Sequence, residues 1–258
     1  MHVVILCGGR GTRLGQETEI RPKPLVEIGG KPILWHIMKY YAHFGCRDFI
    51  LCLGYKGEMI KRYFLDYELV ENDVTIELGA EPRINYHDAH QEQGWRVTMA
   101  DTGVDAFTGA RVKRIEKYVA GESFMLTYGD GVSDVDLDKL LDFHKSHGKI
   151  ATVTAVHPPA RFGELTVDGG QVAFFSEKPQ TSVGCINGGF FVFRRELFDC
   201  LRDADDCTLE QEALTKISAD GELMAFQHSG FWQCVDTVRE MEILRGLWES
   251  GRAPWKVW

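Results

Sequence analysis

No stretch of this sequence approaches the roughly 18 consecutive apolar residues that a helical membrane span needs, so none is expected. Positive charge is scarce as well: 29 Lys+Arg stand against 38 Asp+Glu in 258 residues, a formal charge of −9 at pH 7. That balance excludes a nucleic-acid or anionic-membrane binder working by bulk charge, because such proteins neutralise phosphates with a Lys/Arg excess. It leaves room for a small phosphorylated ligand held by a few residues. The seven cysteines are odd in number and form no Cys-x-x-Cys pair, so neither a disulfide framework nor a zinc site is expected. Most sit in apolar runs such as ILC and FILCL, as small buried hydrophobes do in a reducing compartment. Met1 is followed by no basic segment and no cleavage site of the secretory type, and a cytoplasmic location is expected. Repeats, low-complexity segments and clear linkers are missing too. One α/β domain over 1–258 is the economical organisation, with 44% hydrophobic and 26% charged residues to build it.

Apolar runs and punctuation predict the elements. His2 to Cys7 reads as a buried strand that breaks at Gly8-Gly9, Pro32 to Gly45 as a helix, Asp48 to Leu53 as a strand and Glu58 to Leu69 as a helix. That alternation implies parallel pairing with right-handed crossovers. The polar stretch from Gly79 to Gly94, between strands at 73–78 and 96–100, has no period and reads as a loop. Ser123 to Tyr128 is a strand ending at Gly129-Asp130-Gly131, followed by a helix from Asp136 to His147. Segments 150–156, 164–167, 172–175 and 185–193 are β-rich, short helices follow near 195–201 and 209–219, and a strand at 223–227 precedes a last helix over 237–250. The expected fold is α/β: a Rossmann-like mixed, mostly parallel sheet flanked by helices.

Chemistry concentrates at the start, LCGGRGTRLGQETEIRPKPLVEIGGKP. Six of the 27 glycines lie in the first 30 residues, where four basic residues (Arg10, Arg13, Arg21, Lys23) meet three acidic ones, a local excess of positive charge in an acidic chain. Gly8, Gly9 and Gly11 lack Cβ and permit positive φ, so backbone N–H groups can converge on an anion, with Arg13 and Lys23 adding full charges. Neither common phosphate loop fits. No Gly-Lys-Ser/Thr is present for a P-loop, and Gly9-x-Gly11 carries Leu14 where a dinucleotide loop needs its third glycine. No Gly-x-Ser-x-Gly elbow and no evident Cys/His pair suggests an enzyme nucleophile. Asp130, between two glycines at a strand's carboxyl end, is either a metal ligand or a turn aspartate. Asp236 precedes Thr237-x-x-Glu240, a capping box, and could serve only the helix N-terminus.

The string GGRGTRL, with Lys23 in RPKPL and GGKP after it, resembles the signature of the sugar-nucleotidyltransferase (nucleoside-diphosphate-sugar pyrophosphorylase) family. GGKPILWHIMK, LTYGDGVSDVDL, INGGFFVF and GFWQCVDT resemble its cytidylyl branch, and the similarity runs over essentially the whole chain. The resemblance implies transfer of a cytidylyl group from CTP to α-D-glucose 1-phosphate with Mg²⁺, a nucleotide-binding part over about 1–130, and a sugar-binding and metal-completing part over about 131–258. It implies catalytic roles for Arg13, Lys23, Asp130 and Asp236, the last two also as metal ligands. Nucleotide contacts would come from Leu6, Cys7, Gly8, Gly9, Arg10, Gly11, Thr12, Arg13, Lys23, Thr102, Arg111 and Gly129. Gly163, Glu177, Lys178 and Asn187 would hold the sugar phosphate. Arg111 reads equally as the surface start of a helix, and Cys7 departs from the alanine common in the family's LAGG. A uridylyl or thymidylyl transferase and a non-catalytic sugar-nucleotide sensor are the rivals; retention of the complete charge set argues against the sensor. His87-Asp88-x-His90 reads as solvated loop, Glu210 and Glu212 as one helix surface. Trp248, Trp255 and Trp258 could pack on their own domain or on a neighbouring subunit; the resemblance implies a homo-oligomer, which favours the second.

Overall fold

The computed structural model describes residues 1–79, 81–87, 90, 92–158, 164–176 and 184–258. Its centre is an eight-stranded mixed sheet. The strands are β1 (His2–Leu6), β2 (Asp48–Leu53), β3 (Arg96–Asp101), β4 (Ser123–Tyr128), β5 (Ala151–Val156), β6 (Ile186–Asn187), β7 (Phe191–Arg194) and β8 (Leu223–His228). β1 lies between β2 and β4 and is parallel to both, while β3 extends the parallel half beyond β2. On the other side β7 runs antiparallel to β4, β5 pairs antiparallel with β7 and β6, and β8 lies parallel to β5. The continuous apolar run of β1 is explained by burial on both faces. Val3, Ile5 and Cys7 enter one core and Val4 and Leu6 the other, on opposite sides of the sheet.

Helices cover both faces. α1 (Ile33–His43), α4 (Leu137–His147) and α5 (Val238–Glu249) close the first core, and α3 (Thr108–Arg114) packs into the second. α2 (Gly57–Leu65) follows β2 as the crossover toward β3. Asp136 caps α4 by accepting from the Lys139 N–H at 3.0 Å, and Gly148 ends it in the left-handed conformation. In register, Leu6 lies opposite both Cys52 and Tyr128, so β1, β2 and β4 end level. Because the chain leaves β1 toward β2 on one side and returns at β4 on the other, their carboxyl ends form a topological switch point, where open α/β sheets gather ligands.

Several expectations need correction. The stretch 79–94 is not all loop: Arg83–Tyr86 pairs antiparallel with Val74–Glu77 as a hairpin, and four residues were too few to display an alternation. The expected helix over 58–69 breaks at Asp66, with a second short helix at Tyr67–Glu71. The expected strand 185–193 is interrupted at Gly188 to Phe190, where Gly189 and Phe190 both take positive φ. The three tryptophans pack on their own chain. Trp255 is buried against Phe231 and Trp248, and Trp258 meets Trp35 edge-on, the first of the two placements open to them.

That aromatic cluster encloses His36, which is fully buried. Its Nε2 faces the Ile28 carbonyl at 2.8 Å and its Nδ1 faces Trp255 Nε1 at 3.3 Å. Since the indole nitrogen only donates and the carbonyl only accepts, the ring is the neutral Nε2–H tautomer. Burial pushes its pKa down from 6.5 to about 4. The unfolded ring therefore binds a proton that the folded one refuses over this window, and stability must fall as pH drops from 6.5 toward 4, by roughly 3 kcal/mol from this residue. Urea unfolding at pH 7 and pH 4.5, with an NMR titration of the imidazole, checks it; a His36 ring titrating near 6.5 in the folded protein would refute the assignment.

Candidate active site

A cleft of about 480 Å³ opens at the switch point. Its walls include Leu6 to Gly9 after β1, Gly11, Lys23 and Pro24, the segment from Ala106 to Thr108 with Arg111, Tyr128 to Asp130 after β4, and Thr208 and Glu210. The volume lies within the range of small-molecule and cofactor sites. Two of its glycines are required by close approach. A Cβ on Gly8 would stand 2.0 Å from Arg111 Nη1, and one on Gly129 would stand 2.8 Å from the Leu6 carbonyl oxygen. Side chains there would dislodge the buried guanidinium or part β1 from β4.

Two carboxylates from distant parts of the chain meet beside this cleft. Gly131–Ser133 pairs antiparallel with Trp232–Cys234, setting Cys234 opposite Gly131, and the Val235 N–H donates to the Asp130 carbonyl at 2.8 Å. This short ladder brings Asp236 alongside Asp130. The Lys23 ammonium sits between them, donating to Asp130 Oδ2 and to Asp236 Oδ1 at 2.5 Å each, and Arg13 Nη1 donates to Asp236 Oδ2 at 3.0 Å. Burial works against the Lys23 charge, but the two carboxylates outweigh it and hold its pKa above the ordinary lysine value. Burial also works against ionised Asp236, yet the hydrogen bond and charge of Lys23, then Arg13, keep its carboxyl below the usual range. The four residues form one alternating chain of charge, Arg13, Asp236, Lys23, Asp130.

Among the described residues no group of three or more His, Cys, Asp or Glu side chains clusters as a metal cage. The donor set is instead two convergent carboxylates. That set suits a hard divalent ion such as Mg²⁺, which takes one or two carboxylates, keeps waters and completes its shell with substrate phosphates. The capping box does exist beside Asp236: the Glu240 N–H donates to Thr237 Oγ1, and Glu240 Oε2 accepts from the Thr237 and Asp236 N–H groups. Only the backbone of Asp236 enters it, which leaves the side chain to face Lys23 and Arg13.

Of the expected nucleotide contacts, Leu6, Cys7, Gly8, Gly9, Gly11, Lys23, Arg111 and Gly129 border the cleft. Arg10 instead pairs with Asp105 at 2.8 Å, and Thr12 is exposed and outside the lining. Thr102 is buried under Arg111: its hydroxyl donates to the Leu53 carbonyl at 2.7 Å and accepts from Arg111 Nη1 at 3.0 Å. Arg111 is no surface residue either. Buried, it donates to the carbonyls of Leu53, Gly103, Gly8 and Val104, and so knots together the loops that follow β1, β2 and β3. Burial lowers its pKa. The Cys7 thiol, buried in the wall, has its pKa raised well above the ordinary value by burial, then by Cys52 and Asp130, so it stays a protonated thiol. Gly163, Glu177 and Lys178 lie outside the described residues, as does Asp88 of the histidine-containing loop. His90 pairs there with Glu68 and Glu92. Asn187 reaches the site through Tyr128, donating to its phenol oxygen at 3.0 Å.

Glu210 corrects an expectation. It is not merely helix surface: it borders the cleft and accepts from the Tyr128 hydroxyl at 2.7 Å and the Thr108 hydroxyl at 2.6 Å. No local signal marks it, since its partners lie 82 and 102 positions away in the chain.

Comparisons with known proteins agree with this geometry. The family model described as nucleotidyl transferase matches residues 2–241. The chain is 54% identical, over the full length of both, to glucose-1-phosphate cytidylyltransferase of Salmonella typhi. It is 45% identical, again over both full lengths, to a probable glucose-1-phosphate cytidylyltransferase of Bacillus subtilis. Among solved structures, HddC from Yersinia pseudotuberculosis complexed with GMP-PN superposes with a TM-score of 0.68 at 23% identity, covering 96% of this chain and 99% of that one. At that identity the likeness speaks for the fold.

Proposed function

The chain belongs to the nucleotidyl transferase family, and from that premise we propose that it transfers a cytidylyl group from CTP to α-D-glucose 1-phosphate, giving CDP-glucose and pyrophosphate. The observation that carries the reaction type is the Arg13–Asp236–Lys23–Asp130 chain of charge beside a nucleotide-sized cleft. The choice of base and sugar is supported by the full-length relatives, a glucose-1-phosphate cytidylyltransferase and a probable one.

Every reactant is an anion, so the work is neutralisation and alignment, and no enzyme nucleophile is needed. A phosphate oxygen of glucose 1-phosphate attacks the α-phosphorus of CTP in line, and the bond to pyrophosphate opens. Lys23 neutralises the α-phosphate as the new bond forms. Arg13, 75% exposed and paired with Asp236, is assigned to the triphosphate. Members of this family generally need a divalent metal; Asp130 and Asp236 would hold Mg²⁺, which supplies a hard Lewis acid for the polyphosphate oxygens. Gly163, Glu177, Lys178 and Asn187 are assigned to the sugar phosphate, with the Glu177 carboxylate for hydroxyls and the Lys178 ammonium for the 1-phosphate. Cytosine offers an N4 donor with N3 and O2 acceptors, to be met by the backbone that runs from Leu6 to Gly9.

A pyrophosphate-release assay crossing CTP, UTP, dTTP, ATP and GTP with several sugar 1-phosphates tests the assignment. CTP with glucose 1-phosphate should be turned over fastest. Preference for another pair would displace the substrate assignment, and tight nucleotide binding with no turnover of any pair would make the chain a sensor.

A further inference from the structure

We propose that Glu210 is a positioning residue for the sugar phosphate: acting through Tyr128, it holds the Nδ2 end of the Asn187 side-chain amide, in the orientation that the Gly189 N–H requires of its Oδ1 end. The inference rests on the assignment of Asn187 to the sugar end of the site under the proposed function.

An ionised carboxylate can only accept hydrogen bonds. Glu210 uses Oε2 for the Thr108 hydroxyl and Oε1 for the Tyr128 phenol. The phenol has one proton. Spent on Glu210, it leaves Tyr128 only lone pairs to offer, so Asn187 must turn its Nδ2 toward it, as it does at 3.0 Å. The far end of the same amide agrees, because Asn187 Oδ1 accepts the Gly189 N–H at 2.9 Å. An asparagine amide is nearly symmetric in shape, and its orientation is decided by such partners. The direction of the chain, Asn187 to Tyr128 to Glu210, is held from both ends, by Glu210, which accepts and cannot donate, and by the Gly189 N–H, which donates and cannot accept. Burial, then the Glu210 charge, push the Tyr128 pKa up, so the phenol keeps the proton on which the polarity depends.

One Nδ2 hydrogen and one Oδ1 lone pair remain on Asn187 for a hexose hydroxyl. Loss of the hold on Nδ2 would let the amide swing about its Gly189 contact and misplace both. The carboxylate's second oxygen anchors the device to α3: Thr108 donates to Glu210 and accepts the Leu209 N–H at 3.0 Å. The π-helical turn at Leu209–Leu214 that carries Glu210 is of a kind frequent at functional sites.

Glu210→Gln keeps size and upsets the polarity: the Thr108 hydroxyl, which already accepts the Leu209 N–H, takes the glutamine oxygen, so the amide nitrogen donates to Tyr128 and turns the phenol proton against Asn187 Nδ2. Steady-state kinetics of this variant should show KM for α-D-glucose 1-phosphate raised roughly tenfold, as for one misdirected hydrogen bond. KM for CTP should rise by less, although Glu210 and Tyr128 also border the cleft, because the misplaced amide belongs to the sugar end. Tyr128→Phe, which cuts the same chain, should give a similar rise, and the double variant no more than either alone. An unchanged KM for the sugar phosphate, an equal rise for CTP, or multiplied effects in the double variant would each overturn the inference. Wild-type turnover in the same assay judges the proposed function separately. If another sugar 1-phosphate is preferred, the same KM split is read with that one, and a wild-type chain inert to every pair would overturn both.

Discussion

Lys23→Ala is expected to lower turnover by roughly 10²–10³-fold, the cost of removing one preorganised charge from a developing transition state. Lys23 is the hub of the site. It is the only link between the Asp130 and Asp236 side chains among the described contacts, and it lies mostly out of solvent at 12% side-chain exposure. Truncation removes the positive charge assigned to the α-phosphate and leaves two neighbouring carboxylates without the ammonium between them, where their repulsion favours protonation of one. Lys23→Arg keeps the charge but replaces a compact point donor with a planar fork, and should recover part of the loss. Pyrophosphate release under saturating substrates measures it. A loss below tenfold in the alanine variant would remove Lys23 from the catalytic role.

Asp236→Asn separates the two explanations that its sequence neighbourhood leaves open. As a metal and lysine partner, the carboxylate should matter to turnover, again by roughly 10²–10³-fold, and the divalent-ion concentration for half-maximal rate should rise. As a helix-terminal acid it should matter to stability instead, by about 0.3–1 kcal/mol. The geometry favours the first, because the cap of α5 is made by Thr237 and Glu240, and Asp236 adds only its backbone N–H. Turnover, metal titration and urea unfolding on one preparation decide between them. Near-normal turnover with lowered stability would return Asp236 to the helix cap.

The parallel half of the fold was legible because two-sided burial writes itself as continuous apolar runs: HVVIL, DFILCL and SFMLTY each became a central strand. The two carboxylates proposed as metal ligands, Asp130 and Asp236, were legible by resemblance, and Asp130 also by its place between glycines at a strand end. What escaped was whatever depends on partners distant in sequence. Gly131–Ser133 and Trp232–Cys234 are three residues each, too short to show a period, yet their pairing assembles the acid pair. Arg111 reads as surface until four carbonyls surround it, and Glu210 as helix exterior until Tyr128 and Thr108 arrive. The Arg83–Tyr86 strand was lost in a polar stretch because its apolar residues stay exposed and no core selected for a run.

The ladder between Gly131–Ser133 and Trp232–Cys234 also carries a consequence for the order in which activity arises during folding. The Ser133 hydroxyl donates to the Phe231 carbonyl across 98 chain positions, and contacts of such long reach carry a large loop-closure cost and are slow to form. A chain emerging from the ribosome has the glycine loop, Lys23 and Asp130 well before Asp236 exists. The cleft wall, which takes in Thr208 and Glu210, and the Asp130–Lys23–Asp236 network both wait for the late part of the chain, so that turnover should report a finished molecule.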